Sequence, residues 1–255
     1  MIYFFVLLFT LGLLIGSFLN VCIYRMPKDE SIVSPPSHCG SCNHRLGPRD
    51  LVPVLSWVFL KGRCRYCGAA ISPRYMLVEL LTGGLFVFLG TYYGLSGELF
   101  FMLVFAALFV AIFFIDLDHS IIPDELVIAG FINTAAYLGW LHFVEGTPVS
   151  LLDHGLGFLI GGGLYLFLAI ITRGGMGGGD IKLMAMLGLW LGTGGVLWVV
   201  LLSSNIGAVV SLLLMALKIK SRKDFIPFGP FIVVSALLVM LYQSQMTGWL
   251  FGLYN

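Results

Sequence analysis

Residues 174–182 read Gly174-Gly175-Met176-Gly177-Gly178-Gly179-Asp180-Ile181-Lys182, five glycines leading into an acid and then a base. The stretch lies between two long apolar runs. Its reading decides whether the chain is a string of membrane helices with plain connections or a bundle built around a polar site. A carboxylate near a bilayer is costly, and glycine gives a helix no help. Either Asp180 belongs to a solvated loop, or the backbone here comes very close to something the acid acts on.

The surroundings are those of a membrane. The chain has 255 residues, 59% hydrophobic and only 11% charged, against roughly 25% charged in a soluble domain. Its mean hydropathy is +0.99. An all-α polytopic membrane protein is expected, because spans of about 20 apolar residues recur along the sequence. Eight runs approach that length, at 2–24, 76–94, 98–115, 126–144, 154–172, 181–194, 196–217 and 226–247, the sixth short and glycine-interrupted. The organisation expected is a first transmembrane helix (1–25), a cytosolic zinc-binding loop domain (26–75) and a multi-helix membrane domain (76–255).

Charge sets the orientation. All 14 Lys and Arg residues fall in alternate connections: eight in 25–74, then Arg173 and Lys182, then Lys218, Lys220, Arg222 and Lys223. The positive-inside rule puts these in the cytosol and both termini outside. Topology accounts for the basic residues, so no nucleic-acid partner is expected. Residues 1–24 lack a basic N-terminal region and read as a retained helix, not a cleaved signal peptide. Within them Gly12 and Gly16 form a G-x-x-x-G pair suited to close helix packing, and Cys22 reads as a small packing residue.

Between Met26 and Tyr75 the composition turns to Pro, Ser, Arg and Cys. Cys39-x-x-Cys42 and Cys64-x-x-Cys67, each near a glycine (Gly40, Gly68), read as a tetrahedral zinc site of four thiolates. Such a set leaves no open position for water, so the metal is structural, holding a loop too small for its own core. Disulfides are disfavoured in a reducing cytosol; an iron–sulfur cluster satisfies the same ligands.

Four acids follow the third apolar run, in Asp116-Leu117-Asp118-His119-Ser120-Ile121-Ile122-Pro123-Asp124-Glu125. By the topology above they share the cytosolic edge with Asp180. Two carboxyls in contact share a proton, so one serves as base on a water while the other polarises a carbonyl. Gly177, Gly178 and Gly179 then let a substrate backbone approach Asp180. Asp118, Asp124 and Glu125 fit solvated charges, and Asp124 also fits a helix cap after Pro123. Transporters use acids beside glycine-broken helices as well, so these residues alone leave a protease and an ion-coupled transporter both open.

An ordered set of motifs supplies more. Gly16-Ser17-Phe18-Leu19-Asn20-Val21 and Tyr24-Arg25-Met26-Pro27 precede the two cysteine pairs. Ile71-Ser72-Pro73-Arg74-Tyr75, Val78-Glu79, Asp116-x5-Ile122-Pro123, Gly177-Gly178-Gly179-Asp180-Ile181-Lys182-Leu183 and Pro227-Phe228-Gly229-Pro230 follow. In this set the chain resembles the bacterial type IV prepilin peptidases, membrane aspartic proteases of the GxGD type, over nearly its whole length. The resemblance implies an inner-membrane enzyme that cuts the basic leader from type IV prepilins or type II secretion pseudopilins, after a glycine at the cytosolic face. It maps the catalytic aspartates to Asp116 and Asp180, ranking Asp116 above Asp118. Members with the Cys-bearing loop also methylate the new N-terminus with S-adenosylmethionine, so both activities are implied here. Glu79 is the candidate for methylation or substrate recognition, and Asp118, Asp124 and Glu125 for meeting the basic leader. Met76 and Gly178 depart from the family pattern without touching an ionisable group.

Overall fold

The structure, a computed structural model, describes residues 1–221 and 224–250. Arg222 and Lys223 of the last basic connection, and the end of the C-terminal tail, lie outside the described residues. The chain divides into two compact units, Met1–Ala111 and Ile112–Asn255.

In the first unit, α1 (Ile2–Arg25) packs along α3 (Arg74–Tyr93). The sequence dictates how closely. A Cβ on Gly12 would sit 2.6 Å from the Gly83 Cα, and one on Gly16 2.7 Å from the Glu79 Cα. The G-x-x-x-G pair therefore works as expected, bringing two backbones together where lipid provides no hydrophobic drive for helix association. Between these helices lie two short 3₁₀ turns and α2 (Leu55–Phe59). Two isolated antiparallel bridges, His38 with Arg45 and Arg63 with Ala70, complete the loop, and no strand is found among the described residues. Buried Arg25 ties the end of α1 to the loop by donating to the Ser31 and Pro35 carbonyls at 2.9 and 2.8 Å. Cys22 is buried in the same last turns of α1, in the packing role expected.

The helix α4 (Gly97–His119) runs four residues beyond the apolar run. Asp116 therefore sits inside its last turn and not in the connection after it. In the second unit come α5 (Asp124–Phe143), α6 (Leu151–Ile171), α7 (Gly178–Ala216) and α8 (Gly229–Leu250). Six helices among the described residues, α1 and α3–α7, are long and apolar enough to cross a membrane, and a shorter apolar stretch covers 229–243. This differs from eight separate spans chiefly at α7, which contains the two runs 181–194 and 196–217.

α7 is one helix only in name. Gly192 has φ 70° and ψ −175°, breaking the helical path. A Cβ on Gly161 of α6 would touch both the Met184 carbonyl and, at 2.9 Å, the Val196 side chain. A continuous helix would hold those two residues about 18 Å apart, so α7 folds back at Gly192. Residues 178–191 run antiparallel to α6, with Gly157 against Gly188 and Gly162 against Ala185. Backbone groups freed by the break find partners on other helices, as an apolar interior requires. His154 Nδ1 donates to the Leu189 carbonyl at 2.8 Å, and Gln243 donates to that of Leu191 at 3.1 Å. The Thr193 N–H donates to Asp153 at 3.2 Å.

Overpacking a close contact costs about 1–3 kcal/mol. Gly12→Ala is expected to lower the thermal midpoint of the detergent-solubilised protein. Gly84→Ala, on the open face of α3 where a Cβ meets nothing within 4 Å, is expected to leave it unchanged or raise it.

Candidate active site and metal centre

Three segments of the second unit converge on one polar spot. Asp116 comes from the last turn of α4. The connection Ser120–Pro123 returns the chain to α5, and Ile122 seats against Gly179, whose added Cβ would lie 2.7 Å from the Ile122 Cβ. This contact holds the start of α7 beside the end of α4. Asp180 is the third residue of α7, and its carboxyl folds back toward Gly177 at the N-cap. An acid in the first helical turn is favoured by the exposed N–H groups there. Both carboxyls are buried, at 5% and 8% exposure, and they lie within electrostatic reach of each other.

The third segment is Pro227-Phe228-Gly229-Pro230, at the start of α8. The Gly229 N–H donates to Asp116 Oδ2 at 2.8 Å in a buried hydrogen bond. A Cβ on Gly229 would fall 2.6 Å from that oxygen, so only glycine allows the approach. The Phe228 ring lies 6.2 Å from that of Tyr165, whose hydroxyl meets Ser203 at 3.4 Å. The contact with Gly229 leaves Asp116 with one oxygen committed. Asp180 Oδ1 is buried with no hydrogen-bond partner among the described residues. An orphaned carboxyl oxygen close to a second acid is arranged for a shared proton, a water or a polar substrate atom.

The three glycines divide their work. Gly179 is a packing residue under Ile122, Gly177 lies against the Asp180 carboxyl, and Gly178 faces open space. Of the remaining acids, Asp124 does not cap α5. Pro123 occupies the cap without a side-chain bond, and Asp124 instead pairs with Lys182 at 2.7 and 2.8 Å. That pair is exposed and joins the starts of α5 and α7. In the sequence Gly229 stands out only as part of a motif, since nothing in spacing ties it to an acid 113 residues earlier. A glycine between two prolines ahead of an apolar run was the available signal.

The four cysteines form a second centre in the first unit. Their sulfurs all lie within 4.8 Å of one another, with Cys39 and Cys67 3.8 Å apart. Tetrahedral thiolates at about 2.3 Å from a metal are about 3.8 Å apart, so the donor set fits such an ion. Each knuckle is the same turn. Cys39 N–H donates to the His44 carbonyl at 2.9 Å, and Cys64 N–H to that of Ala69 at 2.8 Å. Backbone N–H groups of Cys42 and Ser41 draw the Cys39 thiol down to about 6. Cys67 keeps a lowering bond from Ala69, yet burial and its thiol neighbours push it up to about 12, as expected when four thiols compete to ionise without a cation. The turn residue is Asn43 (φ 56°) in one knuckle and Gly68 (φ 73°) in the other. Gly40, the glycine near the first pair, is not the residue that turns; Asn43 is. Beside the sulfurs, Asp50 accepts from Arg65 at 2.7 Å, Tyr66 at 3.0 Å and the Gly47 N–H at 3.1 Å. Arg65 first, then the other donors, hold its carboxyl below the usual range.

Glu79 of α3 is buried and accepts the Val54 N–H at 2.7 Å. It is the one buried carboxylate of the first unit among the described residues. Val54 has φ 61° and ψ −54°, a conformation that a β-branched residue holds only under constraint.

Comparison with known proteins agrees with this division. Residues 10–93 match the family model described as the bacterial peptidase A24 N-terminal domain, and residues 103–212 that of the type IV leader peptidase family. A prepilin leader peptidase/N-methyltransferase of Dichelobacter nodosus is 36% identical over 98% of this chain and 95% of its own length. The protein of that name from Bacillus subtilis (strain 168) is 35% identical over 94% of each. The one from Myxococcus xanthus (strain DK1622) is 43% identical over 82% of this chain and 63% of its own. No solved structure matches.

The left-handed turn at residue 43 gives a direct check on the metal centre. Asn43→Gly is expected to keep full metal occupancy by inductively coupled plasma mass spectrometry. Asn43→Val, which resists positive φ, is expected to lower it.

Proposed function

The chain belongs to the type IV leader peptidase family, and from that premise we propose that it is a prepilin leader peptidase and N-methyltransferase of the bacterial inner membrane. The observation that carries the reading is the buried pair Asp116 and Asp180, brought together from α4 and α7 with one carboxyl oxygen left unpartnered. The relatives named above are leader peptidases, and the ion-coupled transporter alternative gains no observation.

The chemistry follows from two acids sharing one proton. The ionised carboxyl takes a proton from a water, whose oxygen adds to the carbonyl carbon of the leader glycine. The protonated carboxyl gives its proton to the carbonyl oxygen. Collapse of the resulting diol breaks the C–N bond: the amine leaves with the proton taken from water, and a diol hydroxyl gives its proton to the other carboxylate, which restores the shared proton. The Gly229 N–H holds one oxygen of Asp116 and so orients the other. Gly178 is the glycine of the loop open to an approaching backbone. The substrate's apolar helix stays in the bilayer, and exposed acids near the site, among them Glu125, meet its basic leader.

The charge pattern supports a cytosolic four-cysteine loop with both termini outside. Zinc is the metal that best suits four cysteine ligands in tetrahedral array, through Cys39, Cys42, Cys64 and Cys67, and its role is structural. S-adenosylmethionine supplies the methyl group for the new N-terminal amine. Glu79, buried in the first unit, is our candidate group for that step or for substrate recognition.

The deciding experiment uses a reconstituted reporter with a basic leader, a Gly-Phe junction and an apolar helix, read by mass spectrometry. Asp116→Asn and Asp180→Asn are each expected to slow cleavage by roughly 10²–10⁴-fold. Gly229→Ala is expected to cost about 10²-fold. All three should still methylate a pre-cleaved peptide. Wild-type protein, folded and metal-loaded, that leaves such reporters uncut overturns the reading. Cys64→Ser is expected to lose the metal and to reduce methylation more than cleavage, and equal loss of both in a stable protein counts against that division.

A further inference from the structure

α2 presents an apolar face that the loop domain leaves uncovered. Leu55, Val58 and Phe59 lie on that face, Phe59 being 79% exposed, and Leu51 and Val52 just before it are exposed too. The opposite side is fastened. Trp57 Nε1 donates to the Ile71 carbonyl at 3.1 Å, and a Cβ on Gly62 would press within 2.8 Å of the Trp57 ring. The Val54 N–H, at the head of α2, is held by Glu79.

That last bond fixes a depth. α3 has 20 residues, about 30 Å of helix, which equals the hydrocarbon thickness it must cross. Glu79 lies five residues inside its start, about 7.5 Å along the axis. The head of α2 is therefore fastened at the level where interfacial helices bury their apolar faces, about 5–10 Å into the headgroup boundary. Exposed Arg49, Lys61 and Arg63 flank the segment, while the nearby acid, Asp50, is already engaged by Arg65, Tyr66 and Gly47. The charge left around the apolar face is positive and suits anionic lipid.

We propose that residues 51–60 form an interfacial anchor whose Leu55–Val58–Phe59 face enters an anionic bilayer surface. The two cysteine knuckles, on either side of it in sequence, are thereby held at the membrane face and not on a free loop. The anchor also accounts for the constrained Val54 backbone: the turn is what swings the apolar face outward while its N–H stays on Glu79. The bond in turn gives a carboxylate at that depth a donor.

The test places p-benzoylphenylalanine at position 59 of the full, metal-loaded chain in nanodiscs of phosphatidylglycerol and phosphatidylethanolamine. Illumination is expected to add the mass of one phospholipid. In a Leu55→Asn/Val58→Asn background that still binds one metal per chain, the adduct is expected to fall by about ten-fold or more. No lipid adduct, an adduct unaffected by the asparagines, or a cross-link formed only to an added prepilin overturns the proposal; the last outcome assigns the face to the substrate.

Discussion

Close approach of backbone to backbone or to a carboxyl, possible only where a side chain is missing, is the constraint on which the rest of this protein depends. Lipid gives helices no hydrophobic reason to associate, so tight packing must come from surfaces that can touch. Gly12 and Gly16 bring α1 onto α3, and Gly157, Gly161 and Gly188 bring α6 onto the first half of α7. The same device then builds the site. Gly179 lets α7 start against Ile122, and Gly229 lets α8 start with its N–H on Asp116. Helix packing and the geometry of the proposed catalytic pair thus draw on one property.

The second constraint is polar satisfaction. Where α7 breaks at Gly192, side chains from α6 and α8 receive the freed carbonyls and N–H groups. Where α1 ends, Arg25 gathers two loop carbonyls. Against that background, the unpaired Asp180 oxygen stands out. An unpaired buried oxygen beside a second acid calls for a partner, and in the proposed reaction the attacking water is that partner.

The membrane helices and the four-cysteine loop solve different problems with different chemistry. The membrane helices have ample apolar length and need only contact. The loop between α1 and α3 is too small to bury a core of its own and relies on four sulfurs in two matching turns, bonds from Asp50 across to Arg65 and Tyr66, and the hold of Glu79 on Val54. Each is a short-range tie that works in water or at the interface.

The class of the fold, the helices α1 and α3–α6 to within a few residues, and the four-cysteine set are all legible in the sequence, because apolar length and ligand spacing are local properties. It also brought Asp116 and Asp180 forward as a pair, through their shared membrane edge and the motifs around them. The remaining features depend on residues far apart in the chain. Hydropathy marked two runs in α7 but could not show them joined by a single glycine and folded back, because the turn is stabilised by Asp153, His154 and Gln243 from other helices. Asp124 fitted either a solvated charge or a cap in the sequence, and its partner, Lys182, lies 58 residues on. Asn43, and not a glycine, takes the left-handed turn of the first knuckle, since φ is set by the knuckle's own hydrogen bonds. Gly229 reached Asp116 across 113 residues. Such contacts carry no periodicity or spacing in the chain, because they exist only once the helices have packed.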